Sequence, residues 1–196
     1  MKKRISMSLA GLLLFFVLSV PAYAANWETD NAHSNFYFTV DHIFSKVRGF
    51  FADYTADIVF DPEKPEAAKF VFVIKTDSVD TNIAKRDKHL QSPDFFDAAT
   101  FPEMKFTSTS VKDLGSGRLE VIGRLAVKGA EHDIVLPLVF AGIKDHPAAK
   151  GKKVIGFNGT VVLDRLKLGV GSGKFFDMGV VGKDVEVLVT LEALGD

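Results

Sequence analysis

Apolar and polar residues alternate at every second position through most of this chain, and that period admits strands far more readily than helices. Arg118 to Val127 carries Leu119, Val121, Gly123, Leu125 and Val127 on one face. Asp133 to Ile143 repeats the pattern with Ile134, Leu136, Leu138 and Phe140, Val154 to Asp164 with Ile155, Phe157, Gly159, Val161 and Leu163, and Asp184 to Ala193 with Val185, Val187, Val189 and Leu191. Earlier strands are expected near Ser34 to Asp41, with Phe36, Phe38 and Val40 facing one way, and near Gly49 to Phe60, with Phe50, Ala52, Tyr54, Ala56, Ile58 and Phe60 together. Lys69 to Thr76 is apolar on both faces, as in a strand covered on both sides, and Met104 to Val111 completes about eight strands. Pro137 has no amide donor, so its strand should be bulged or at an edge there.

Most connections are short polar turns, such as Asp61-Pro62-Glu63-Lys64-Pro65, Leu114-Gly115-Ser116-Gly117 and Lys128-Gly129. Neighbouring strands should therefore be antiparallel. Eight antiparallel strands can close into a barrel wide enough for one slender ligand, and a two-sheet sandwich is the competing arrangement. Helix is expected in two places. Asp41 to Arg48 places Ile43, Phe44 and Val47 at i, i+1 and i+4. Between Ser78 and Phe106 the chain spends over twenty residues where a short turn would serve. There Asp80 or Thr81 can cap a helix running to about Gln91, with Ile83, Arg86, Asp87 and Leu90 on one stripe. Ser92-Pro93 restarts the chain, and Phe95 and Phe96 follow on a short turn.

The first residues read as an address. Lys2, Lys3 and Arg4 precede an apolar run from Leu9 to Leu18, and Ala22-Tyr23-Ala24 is a small-x-small cleavage signal, so residues 1–24 are expected to leave and 25–196 to form one domain. The run is short for a membrane span, so an exported, periplasmic protein is expected; a retained N-terminal anchor is the alternative. There is no cysteine, which excludes disulfides, cysteine metal sites and lipid attachment at a cysteine. Loss of the three leader cations takes 24 basic residues to 21 against 25 acidic ones, roughly −4, which disfavours nucleic acid and broad adhesion to anionic lipid.

Little in the chain points to catalysis. No two of His33, His42, His89, His132 and His146 stand three or four residues apart, so no helical zinc motif exists, and no Gly-x-Ser-x-Gly elbow occurs. Gly169 to Lys174 is glycine-rich but lacks phosphate-loop spacing and reads as a flexible hairpin. Arg86 and Asp87 read either as part of a solvated helix face, or as a clamp on a loop or a contact for a polar head. His42 stands at a strand end, bonded to backbone or at a pocket mouth. Phenylalanine is in excess, with 18 in 196 residues. Phe has no polar handle, so a surplus beyond one small core fits a partly hollow, Phe-lined interior holding an apolar ligand.

The order of motifs resembles the YceI-like family of polyisoprenoid-binding periplasmic proteins over nearly all of residues 25–196. It is carried by His33-Ser34, Phe38, His42, Gly49, Phe51, Tyr54 and Phe60-Asp61. Ser78-x-Asp80-Thr81, Arg86-Asp87-x-His89-Leu90, Asp94-Phe95-Phe96, Phe101-Pro102 and Phe106-x-Ser108-Thr109 match best. Gly123-x-Leu125-x-Val127-x-Gly129, Gly156-Phe157, Asp164-Arg165 and Val181-Gly182-x-Asp184-Val185 follow in order. The resemblance implies a mainly β fold, an eight-stranded antiparallel lipocalin-like β-barrel with a helical insertion between strands three and four. It also implies a long isoprenoid or similar lipid in the interior, often in a homodimer. From the charge and residue patterns themselves, no cofactor, metal, nucleic acid or stable membrane insertion is expected. If Phe51 and Tyr54, three apart, both face inward, the alternation must flip near Ala52-Asp53. After Arg165 the chain departs from the family pattern with Leu166-Lys167-Leu168-Gly169, a loop expected to shape the pocket rim.

The expectation is thus a non-enzymatic carrier of a long apolar amphiphile such as a polyisoprenoid or isoprenoid quinone. The ligand would contact Phe36, Phe38, Phe51, Tyr54, Ile58, Phe72, Ile74, Phe95, Phe96 and Phe106, with His42, Asp80, Arg86 and His89 at the mouth. An enzyme acting on a bound lipid and a protein-interaction module of the cell envelope are the competing classes.

Overall fold

The computed structural model describes residues 25–195; the expected leader, residues 1–24, lies outside them. The elements run β1 (Ala25–Thr29), β2 (Asn35–His42), β3 (Ser45–Phe51), β4 (Tyr54–Phe60), β5 (Lys69–Lys75), β6 (Val79–Asp80), α1 (Ala84–Gln91), β7 (Glu103–Asp113), β8 (Arg118–Val127), β9 (Ala130–Asp145), β10 (Lys153–Asp164), α2 (Lys174–Asp177) and β11 (Val181–Gly195). All pair antiparallel in one sheet, which closes where Glu28 and Thr29 of β1 meet Leu194 and Ala193 of β11.

Three strand positions are each broken in two. Strand β11 pairs with β2 along its first part and with β1 at its end, and β3/β4 and β5/β6 continue the same division. The result is an eight-stranded barrel with corners, not a sandwich. Each corner is tied by hydrogen bonds. The Ser34 hydroxyl donates to Glu192 O and accepts from Glu192 N, and Tyr54 OH donates to Ser34 O at 2.6 Å. Ala52 N donates to Ser78 O and Lys75 N to Asp53 O.

The expected uninterrupted strand from Gly49 to Phe60 therefore turns a corner at Ala52-Asp53. Phe51 and Tyr54 both point inward, whereas Ala52 is exposed and Phe50 half-buried. The even-numbered face holds only from Tyr54 onward. Strand β1 was missed because it is short and directly follows the cleavage signal. The helix expected over Asp41 to Arg48 does not exist. Those residues form the tip of the β2–β3 hairpin, closed by a two-residue turn at Ile43-Phe44, in register from Tyr37↔Phe50 to His42↔Ser45. Apolar residues at i, i+1 and i+4 imitate a helical stripe, but on the hairpin Ile43 and Phe44 face solvent. Strand β5 buries only Phe70 and Phe72; Val71 and Val73 are half-buried, so it is covered on one side.

Pro137 sits where its chemistry requires. The β9–β10 ladder ends at Asn158↔Val139, so Pro137 lies beyond its last pair, and a bulge breaks the register at Gly156/Phe157.

One end of the barrel is solid. Phe60, Phe70 and Phe157 are fully buried there, with ring centroids 4.9 Å (Phe60–Phe157) and 5.3 Å (Phe70–Phe157) apart, and Trp27 Nε1 donates to Phe60 O at 3.0 Å. The other end is covered by the β6–β7 insertion and by residues 165–180. Their apolar side chains form a second cluster around Phe51, Val79, Phe95, Met104, Val127 and Val170. The interior is thus packed at two levels, with space between them.

Candidate functional site: an apolar cavity under two lids

The space is a cavity of about 370 Å³ lined almost wholly by apolar side chains. Its wall is dictated by the strand period: Phe36, Phe38 and Val40 from β2, Phe72 and Ile74 from β5, Phe106 from β7, Ile134 and Leu136 from β9, and Val185, Val187 and Val189 from β11. At the corner of β3, Phe51 adds a ring that stands 5.7 Å from Phe38 and 5.7 Å from Phe96. Gly49 makes room for this packing, since a Cβ there would lie 2.5 Å from the Phe38 ring and 2.7 Å from Asp80 O.

The insertion forms the first lid. Helix α1 begins at Ala84, and its N-cap is Ile83, two residues after Thr81 and three after Asp80, the expected caps; Ile83 makes no side-chain bond. Thr81 is anchored from inside the helix instead. Asp87 Oδ1 accepts from Thr81 N at 2.8 Å and from its hydroxyl at 2.5 Å, while Arg86 donates to Thr81 Oγ1 at 2.7 Å and to Thr81 O at 2.8 Å. Arg86 is therefore the loop clamp of the two readings, and it also borders the cavity. Ser92-Pro93 opens a turn rather than a second helix: Phe95 N and Asp97 N both donate to Ser92 O. Lys128, on the β8–β9 turn, holds that turn down through a 2.5 Å bond to Phe95 O, and the buried Thr76 hydroxyl ties its exit to Phe101 O at 2.7 Å. Phe95 is buried and Phe96 half-buried, both on the cavity.

Residues 165–180 form the second lid, and they are the part that the sequence reading undervalued. Arg165 is 94 % removed from solvent, with 6 % exposure, yet among the described residues it has no carboxylate within ion-pair distance. Its guanidinium donates to Gly182 O at 2.7 Å, Val170 O at 3.0 Å and Val181 O at 3.3 Å, folding the loop back onto the barrel. Burial lowers its pKa from the ordinary value, partly offset by Asp164, but a guanidinium stays charged at neutral pH. Gly171 is the neighbour this needs: its φ of +91° is left-handed, and a Cβ would lie 2.3 Å from Arg165 Nη1. Leu168, Val170 and Phe175 then reach the cavity. The two lids meet where Phe175 stacks on Phe95, ring centroids 6.3 Å apart, with the His89 ring edge-on to both at 6.0 and 5.1 Å. The sequence after Arg165, where the family pattern is lost, thus shapes the rim. The available signal was the buried-cation motif Asp164-Arg165 followed by apolar residues at 168, 170 and 175.

Of the residues expected to meet a ligand, Tyr54, Ile58 and Asp80 stand outside the cavity wall. Tyr54 bonds the first corner, Ile58 is buried in the solid end, and Asp80 accepts from Asn82 N at 2.7 Å in a tight turn where Asn82 has φ 61°. The others border the cavity, with His42, Arg86 and His89 its expected polar members. Elsewhere, Asp30, His33 and Glu192 bring three ligand atoms within 4.8 Å, but Asp30 and His33 already pair at 2.8 Å on the surface, away from the cavity.

A closed antiparallel barrel around a mostly apolar chamber defines a lipocalin-like protein. The YceI-like domain model matches residues 27–193, and the chain belongs to that family. A UPF0312 protein of Vibrio vulnificus is 35% identical over 181 residues, covering 89% of this chain and 95% of its own. Among solved structures, Burkholderia cenocepacia BcnA superposes with a TM-score of 0.76 at 24% identity, covering 85% of this chain and 99% of that one. A polyisoprenoid binding domain from Saccharophagus degradans, implicated in plant cell wall breakdown, superposes with a TM-score of 0.63 at 17% identity, over 89% of this chain and 99% of its own. At these identities the two structures speak to the fold alone.

Proposed function

We propose that the chain is an exported, non-enzymatic carrier that holds one long apolar amphiphile, of polyisoprenoid or isoprenoid-quinone type, inside the barrel. The observation that carries the reading is the chamber itself, whose wall is mostly Phe, Val, Leu and Ile, with Tyr37, His42, Arg86, His89 and Arg165 its few polar members. The polyisoprenoid binding named for the Saccharophagus degradans domain agrees with it, as does the leader-like sequence of residues 1–24. A chain burying roughly 500 Å² at about 25 cal/mol per Å² gains about 12 kcal/mol before costs. An association cost of at least about 4 kcal/mol leaves at most about 8, so the affinity is micromolar at best. His42, Arg86 and His89 would orient a polar head at the mouth, and the lids would exclude water from the tail.

Titration of residues 25–196 with N-phenylnaphthylamine tests this. The dye should brighten on entering the chamber and be displaced stoichiometrically by a long prenyl alcohol. A dye that never brightens, or that a prenyl alcohol does not displace, would refute the carrier.

A further inference from the structure

The mouth of the barrel carries apolar side chains that the fold does not use. Phe44, at the tip of the β2–β3 hairpin, has 102 % relative exposure, and Ile43 beside it has 57 %. Ile43 also holds φ at 51°, a left-handed conformation costly for a β-branched residue. A soluble hairpin would place Asn-Gly or Asp-Gly there. Here the turn accepts both strain and exposed hydrophobic surface, a combination that calls for an occupant.

The second half of the patch is bonded to the first. Ile43 N donates to Val180 O at 3.0 Å, Val181 pairs with His42, and the α2 turn just before Val180 exposes Phe176 (40 %) and Met178 (62 %). Phe175, one residue before Phe176, stacks on Phe95 of the other lid, and His42, Phe175 and Val180 border the cavity. The protruding residues therefore sit on the segments that gate the chamber.

Charge decides between occupants. Residues 165–183 carry Arg165, Lys167, Lys174 and Lys183 against Asp177 alone. Arg165 is buried in its clamp and Lys183 is taken by Asp164 and Asp184, which leaves Lys174, two residues before the exposed Phe176 on the same turn, and Lys167 earlier in the same lid. On the hairpin, Lys46 is held by Asp41, and Arg48 adds a cation. Residues 25–196, with 21 basic against 25 acidic residues, thus concentrate cations where their apolar side chains protrude. Aromatic and thioether side chains flanked by lysines match the interface of an anionic bilayer, where rings enter the acyl boundary and ammonium groups meet phosphates.

We infer that the β2–β3 tip and the α2 turn form a docking surface for an anionic lipid bilayer, presenting the mouth of the chamber to the membrane. The inference rests on the carrier reading and adds where the cargo enters and leaves. Docking is peripheral and shallow, since no helix among the described residues is long and apolar enough to cross a membrane. Because residues 25–196 carry more acidic than basic side chains overall, apolar insertion supplies the hold, and the local cations set orientation.

Flotation of residues 25–196 with phosphatidylethanolamine/phosphatidylglycerol vesicles tests it, alongside the dye titration in vesicle-free buffer. The wild type should float. Phe44→Ser combined with Met178→Ser should reduce the bound fraction at least tenfold while dye binding in buffer stays unchanged. Phe176→Ser alone should give an intermediate loss, which guards against a misfolded double variant, and circular dichroism should be unaltered in each. Phosphatidylcholine vesicles should bind the wild type several-fold less. A wild type that stays unbound, or variants that float as well as it does, would overturn the docking surface even if dye binding succeeds. Flotation that is lost in the variants while the dye never binds would instead uphold the surface and refute the carrier.

Discussion

Replacing Arg165 by methionine should unfasten the second lid at a calculable cost. The guanidinium serves three carbonyls, at 2.7, 3.0 and 3.3 Å. Val170 is buried, so its oxygen would lose the Arg165 bond out of reach of water, at about 1–3 kcal/mol. Val181 and Gly182 are half-buried, so water can replace part of what they lose, at about 0.5 kcal/mol each. Methionine keeps the length of the stem and removes a buried charge, which offsets some of the loss. The balance is a destabilisation of about 2–3 kcal/mol. Urea unfolding followed by Trp27, buried at the solid end, reads the global effect, and the release rate of a bound apolar dye reads the lid. Arg165→Lys should fare almost as badly, because a single ammonium cannot span three carbonyls. Stability within about 0.5 kcal/mol of wild type for Arg165→Met, or full rescue by lysine, would refute the clamp.

Other outcomes follow from the same geometry. Val187→Trp, pointing into the chamber from β11, should cut dye affinity at least tenfold while changing stability by less than about 1.5 kcal/mol, because the new ring fills existing space; an unchanged dye isotherm would argue against binding there. Phe157→Ala, at 0 % exposure between Phe60, Phe70 and Phe140, should cost about 3–5 kcal/mol in urea unfolding yet leave the lids and their dye-release rate intact. The surface pair His33–Asp30 should be visible in pH titration. Hydrogen bonding to Asp30 raises His33 above 6.5, so its contribution is complete below that value and lost as pH rises through the elevated folded pKa. Asp30, lowered by the same bond, contributes above 3.8 and loses its share as pH falls through its depressed pKa. Proton NMR should place the His33 midpoint above 6.5, and Asp30→Asn should bring it back; an unmoved midpoint would discount the pair.

The strands and the inward phenylalanines were legible because period two is a local property of sequence. Arg118–Val127 appears as a strand with the bounds its alternation gives, and Phe36, Phe72 and Phe106 face the interior as that alternation requires. Alternation alone did not show the corners; only the family resemblance, through the three-residue step from Phe51 to Tyr54, marked the flip near Ala52-Asp53. The flip between Phe51 and Tyr54 depends on Ser78 O and Lys75 N, more than twenty residues away in sequence. The false helix at Asp41 to Arg48 has a different origin. Its apolar spacing is real, but Ile43 and Phe44 face outward, and periodicity cannot tell a face made for a core from one left exposed. Thr81 looked like a cap because its side chain is suited to one, whereas it is held by Asp87 and Arg86 from the helix. Tyr54 and Ile58 share the inward face with the true lining residues, and only the three-dimensional division of the barrel into a solid end and a hollow end separates them. The second lid was half legible: the departure from the family pattern at Leu166 to Gly169 marked the rim, but Gly169 to Gly173 reads as mere flexibility, although Gly171 is required by the Arg165 clamp.

The central claim is that the chamber holds a long apolar chain, and native mass spectrometry of residues 25–196 mixed with a solubilised long-chain prenyl lipid tests it most directly. One lipid per barrel should be retained after detergent is stripped, and Val187→Trp should retain much less. A barrel that remains empty across preparations, or wild type and variant that carry equal lipid, would contradict it.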